Sequence, residues 1–192
     1  MKRLALFSFL ASLILFTACQ NESPITGPQN NEFQKSVTAE PQWIGLPQAA
    51  DKSLAKKFIT SEFITVADGG YLLIDESYIS AEGKTVKAYS KIEFAPGVVQ
   101  QDVLISMDID DQTGVAEFLP HQMFNDFAIL NQTFEGLNLT GIDPSTIQLY
   151  YMATDGTYEV MTYDQLIIDV VAGTVQVING RIPHFSIYGF GI

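Results

Sequence analysis

The chain closes with Arg181 to Ile192, RIPHFSIYGFGI, which sets a histidine and a serine on either side of Phe185. A hydroxyl beside an imidazole is a minimal kit for nucleophilic chemistry. An imidazole at position 184 could take the Ser186 proton. The same residues also fit the last strand of a sheet, with Phe185 and Ile187 on one face and His184, Ser186 and Tyr188 on the other. Asp108, Asp110 and Asp111, with Gly114 close by, form the densest oxygen cluster. Calcium favours several carboxylates from one loop. Here Ile109 splits the set and no Glu closes the loop at calcium-binding spacing, so ordinary acidic turn formers are the favoured reading. Tyr150, Tyr151, Tyr158 and Tyr163 crowd one segment. Exposed tyrosines can stack on sugar rings or anchor a protein partner. Adjacent Tyr150 and Tyr151 must face opposite sides of a strand, which commits one of them to the core. His121 stands alone, and two histidines in all argue against a zinc enzyme. There is no glycine-rich phosphate loop and no Gly-x-Ser-x-Gly elbow. A non-catalytic protein without a cofactor is the expectation.

The elements that must carry these residues begin with an export signal. In MKRLALFSFLASLILFTAC, Lys2 and Arg3 precede an apolar run from Leu4 to Phe16. That run has the length of a signal-peptide core and is short for a bilayer span. Leu15 to Cys19 resembles the lipobox of bacterial lipoproteins, in which a small residue precedes a Cys that receives a diacylglyceryl group. Phe16 replaces the usual Leu three positions before Cys19. It also disfavours an ordinary signal peptidase, which requires a small residue there. Residues 1–18 thus read as a lipoprotein signal peptide and Cys19 as the lipidation site. Several acyl chains on Cys19 would hold the protein at a membrane, each buried CH₂ adding roughly 0.8 kcal/mol.

Cys19 is the only cysteine, so no intrachain disulfide forms. Loss of Lys2 and Arg3 takes the basic residues from ten to eight against 22 acidic ones, a formal balance of −14. Such a chain does not seek nucleic acid or anionic headgroups. Residues 19–42 hold the lipidated Cys and a tether rich in Asn, Gln, Ser and Pro, without period, read as flexible and disordered. Trp43 to Pro47 is where the chain would dock on the folded body. Ala49 to Lys57 could form one or two helical turns.

From Phe58 the pattern is β. Val86, Ala88, Ser90, Ile92 and Phe94 alternate with Lys87, Tyr89, Lys91 and Glu93, and Val103, Ile105, Met107 and Ile109 repeat the pattern. Asp68-Gly69-Gly70 is a turn. Asp155-Gly156 suits a two-residue hairpin loop. About ten short strands with turn residues every 8–12 positions predict an all-β protein: one antiparallel β-sandwich over residues 43–192.

Four stretches in order, DGGYLLID, FAPGVVQQDVLISMDI, IQLYYMATDGTYEVM and IPHFSIYGF, resemble the ZU-five type of domain over roughly residues 60–190. That family occurs in zonula occludens proteins, netrin receptors, ankyrins and bacterial surface proteins. Family members usually read more like Pro-Pro-Gly-Ala where this chain has Ala95 to Val98. The resemblance implies a β-sandwich used for protein contacts or as a structural module, with no cofactor. It also implies a second possibility, because in some eukaryotic relatives a His-Phe-Ser triplet marks a self-cleavage point. Ser186 Oγ would attack the Phe185 carbonyl through a five-membered ring, and water would hydrolyse the ester. That route requires strain at the Phe185–Ser186 bond. The expected role is a lipid-anchored protein of the bacterial envelope, at the outer membrane or cell surface. Its partners would be the membrane through acylated Cys19 and an unknown envelope or extracellular protein.

Overall fold

A computed structural model describes residues 25–26, 36–37, 39–51 and 57–192. The signal segment and Cys19 lie outside the described residues, as does most of the tether. No helix among the described residues is long and apolar enough to cross a membrane.

Two antiparallel sheets pack as a sandwich. The first contains β1 (Ile25–Thr26), β4 (Gly70–Ile79), β5 (Thr85–Phe94), β8 (Met123–Glu135), β11 (Gln165–Asp169) and β12 (Thr174–His184), in the order β1-β11-β12-β8-β5-β4. The second contains β2 (Ser36–Val37), β3 (Lys57–Ile64), β6 (Val103–Asp110), β7 (Ala116–Leu119), β9 (Gln148–Met152), β10 (Tyr158–Val160) and β13 (Ile187–Gly191), in the order β2-β10-β9-β13-β7-β6-β3. The all-β expectation holds, with eleven strands of three residues or more among the described residues. The tether contributes the two shortest: Ile25 pairs with Ile168 and Val37 with Tyr158, at the outer edges of the two sheets.

Alternation places the core. Val86, Ala88, Ser90, Ile92 and Phe94 all point inward from β5, as do Ile105, Met107 and Ile109 from β6. Val103, at the start of β6, is only half-buried. Each large apolar side chain taken from water stabilises the sandwich by about 1.5–3 kcal/mol.

Three local readings are corrected. Ala49 bridges Ser80 at the end of β4 and does not open a helix; Lys52 to Lys56 lie outside the described residues. The β9–β10 connection is five residues, Ala153 to Thr157, not two: Ala153 N–H bonds to the Thr157 carbonyl, and Thr154-Asp155-Gly156 turns between them with Gly156 at φ 84°. The Asp155 carboxylate accepts from the backbone and hydroxyl of Thr157, which holds its pKa below the usual carboxylate value. The last strand begins at Ile187, and His184 belongs to the end of β12.

The turn at Asp68-Gly69-Gly70 joins the sheets. Gly69 has φ 71°, and a Cβ there would sit 2.0 Å from the Phe94 carbonyl oxygen, so only glycine fits. This turn sends β3 into one sheet and β4 into the other. Apart from the single Thr65–Gly69 bridge, the two strands do not pair.

Candidate functional site

His184, Phe185 and Ser186 form a crossover, not a strand. β12 ends at His184 in one sheet and β13 starts at Ile187 in the other, so Phe185 and Ser186 carry the chain between layers. The alternating-face expectation fails for that reason: His184, Phe185, Ser186 and Tyr188 are all buried. The Phe185 ring enters an aromatic cluster, edge-on to Phe124 at 4.5 Å and stacked over Phe118 at 5.9 Å. Its N–H donates to the Gln122 carbonyl, and the Ser186 carbonyl accepts from Phe118 N–H.

The polar atoms are engaged in ways that serve structure. Ser186 Oγ donates to the Met152 carbonyl at 2.7 Å, which ties the crossover to β9. A carbonyl oxygen cannot serve as a base, so this partner does not activate the hydroxyl. His184 Nδ1 lies 3.3 Å from the Phe185 carbonyl oxygen, and its ring packs on Tyr151. The imidazole therefore addresses the carbonyl, while the hydroxyl it would have to deprotonate is bonded elsewhere. Tyr188 O–H donates to the His184 carbonyl, and burial holds that phenol far above its usual pKa. Backbone strain is also elsewhere: among the described residues the one non-glycine with positive φ is Asn179, in a bulge of β12.

The structure separates the tyrosines. Tyr151 is buried, stacked on Tyr188, with its hydroxyl donating to Glu159. Tyr150 and Tyr158 face outward and clasp Trp43 edge-on, at 6.5 and 5.6 Å. Residues 42–44 run along β13, where Gln42 exchanges two backbone hydrogen bonds with Ile192 and Ile44 N–H bonds to Phe190. Two of the four tyrosines considered for sugar stacking, Tyr150 and Tyr158, thus hold the incoming chain. Tyr163 is buried as well, against Gln148.

The three aspartates also diverge. Asp108 lies opposite Ile59 and Glu117 in the sheet. Asp110 caps its own turn, accepting from Gln112 and Thr113. Asp111 is buried, and its charge joins burial in raising the Tyr78 pKa to about 12. No group of three or more metal-binding side chains converges among the described residues. His121 is exposed, 3.7 Å from Glu117.

No family model matches this chain, and no curated protein or solved structure is similar to it.

What the residue types alone did not reveal is a surface. On the outer face of β3 and β6, Ile59 is 64% exposed, Phe63 55% and Leu104 61%, with Phe63 and Leu104 directly opposite in the ladder. Tyr71 and Leu73 continue the apolar display on the outer face of β4. A signal was present in KFITSEFI, which carries large apolar residues in both phases, Phe58 and Ile64 in one and Ile59 and Phe63 in the other, although one face of a sandwich strand should be polar. Phe63 and Leu104 form an exposed apolar pair, separated from Ile59 by Ser61 and Ser106, which lie opposite each other. Exposed apolar side chains gathered in this way are a candidate interaction surface.

Proposed function

We propose that this chain is a lipid-anchored protein of the bacterial envelope whose β-sandwich, of the ZU-five kind, acts as a non-catalytic protein-binding or structural module. The observation that supports this most is the exposed apolar group Ile59, Phe63 and Leu104, beside a sheet edge that no described residue pairs. The acidic balance directs it away from nucleic acid and toward protein partners. Acylated Cys19 tethers the module at the membrane, and the Trp43 clasp fixes where the tether meets it.

The Ser186 bond to Met152 favours this reading over self-cleavage at Phe185–Ser186. One measurement addresses both parts. Intact mass spectrometry of the denatured protein, isolated from cells fed an alkyne fatty acid, should give one full-length acylated species starting at Cys19. Cys19→Ala should abolish the label. A fragment ending at Phe185, or label-free wild-type protein, would overturn the assignment.

A further inference from the structure

The seam between β3 and β4 has the features of an unfinished sheet. β3 is the last strand of one sheet and β4 the last of the other. In an antiparallel ladder, residues alternate between bonding their partner and pointing N–H and C=O away. On β3 the outward phase is fixed at both ends of Phe63: its N–H meets the Glu62 carboxylate, and the Thr65 carbonyl, in the same phase, accepts from Gly69. With no register shift, Ile59 and Ser61 share that phase. On β4 the Ile79 carbonyl accepts from Ala50 N–H, so Tyr71, Leu73, Asp75 and Ser77 also turn their backbone groups toward the seam. Clefts of about 570 and 440 Å³ lie along it.

The side chains at this edge specify what would fit. Outward-phase residues Ile59, Phe63, Tyr71 and Leu73 are apolar and exposed. Inward-phase positions Phe58, Ile64, Leu72 and Ile74 are buried, but Glu62 and Glu76 occupy the same inward phase and are exposed at the open side. Among the described residues the two clefts are lined by Glu62, Asp75 and Glu76 and by no Lys or Arg; Lys87 of β5 reaches Asp75 at 3.7 Å, which leaves Glu62 and Glu76 as the carboxylates open to a partner. Charged residues in the inward phase of an edge strand oppose pairing with any strand that does not answer them with opposite charge, another copy of this chain included.

Resting on the protein-binding reading above, we infer that the β3–β4 seam takes an extended basic peptide as an added strand. Apolar residues at alternate positions of that peptide lie beside Ile59, Phe63 and Leu73, and the Lys or Arg between them meet Glu62 and Glu76. Main-chain hydrogen bonds supply affinity, and the alternation sets register. A second copy of this chain is the less favoured occupant, because it brings the same carboxylates to the same edge.

The test uses the full-length chain in detergent and a capped, fluorescent Lys-Val-Lys-Val-Lys-Val-Lys peptide, read by anisotropy at low salt. Binding is expected, with at least about tenfold weaker binding of the Glu-Val counterpart and of the Lys-Val peptide N-methylated at alternate backbone nitrogens. Ser61→Pro removes an N–H that faces the seam, a change an edge strand tolerates. It should weaken binding about tenfold or more, and paired Glu62→Gln and Glu76→Gln should weaken it without touching the backbone. Undiminished binding of the N-methylated peptide, or by Ser61→Pro, would reduce the effect to charge attraction and overturn the proposal. So would absence of binding, or self-association of the protein that Ser61→Pro abolishes. If the seam fails while partner capture at Leu104 persists, the binding-module reading stands and only the seam is excluded.

Discussion

Phe185→Ala should destabilise the sandwich by about 3–5 kcal/mol, the range for emptying a large aromatic site in a core. Phe185 is 2% exposed and its ring meets Phe94, Phe118 and Phe124. Edge-to-face and stacked contacts add to the loss of buried area. At roughly 2–4 °C per kcal/mol for a chain of this size, the thermal midpoint should fall by about 6–20 °C. Ser186→Ala should cost much less, on the order of 1 kcal/mol for the hydrogen bond to Met152. The contrast bears on function. If the triplet were a reaction centre, the wild type would yield a species ending at Phe185 that Ser186→Ala abolishes. If it is a crossover, both are uncleaved and Phe185→Ala carries the larger loss of stability. A Phe185→Ala loss under about 1 kcal/mol would contradict the crossover role.

The second expected result has the opposite sign. Gln132→Leu should stabilise the protein by about 1–2 kcal/mol, seen as a higher urea midpoint with an unchanged slope. Gln132 lies on β8 opposite Ser90 and Val177, wholly buried between the sheets. Neither its amide nitrogen nor its amide oxygen has a hydrogen-bond partner among the described residues. Its neighbour Ser90 is turned to the Met107 sulfur. Burying an amide without a partner costs about 1–3 kcal/mol by mutational measures. Leucine removes that cost at similar volume. A destabilisation of more than about 1 kcal/mol would show that Gln132 is satisfied in solution.

The sequence was legible where period and burial coincide. In β5 every second residue from Val86 to Phe94 is buried, and the period-2 pattern placed all five. It failed at Phe185, because alternation assumes that the strand continues and a crossover ends it. No residue type announces a change of sheet. HFS reads as strand in any short window, and only the partners Gln122, Phe118 and Met152, far away in the chain, turn it. The tyrosines failed for a related reason. Spacing correctly sends Tyr150 and Tyr151 to opposite faces, but it cannot foresee that Trp43 returns to cover the outer one. The seam was half legible. The two-phase apolar pattern of KFITSEFI marks an unusual strand, yet its edge position depends on pairing with β6, some 40 residues on.

The central claim is that the outer face of β3 and β6, with its open edge, meets a protein in the envelope. Replacing Leu104 with a photocrosslinking amino acid in living cells tests it most directly, with Val171, exposed on the far side between β11 and β12, as the control. The account predicts one discrete higher-mass adduct from position 104 and none from position 171. No adduct at 104, or the same adducts from both positions, would contradict it.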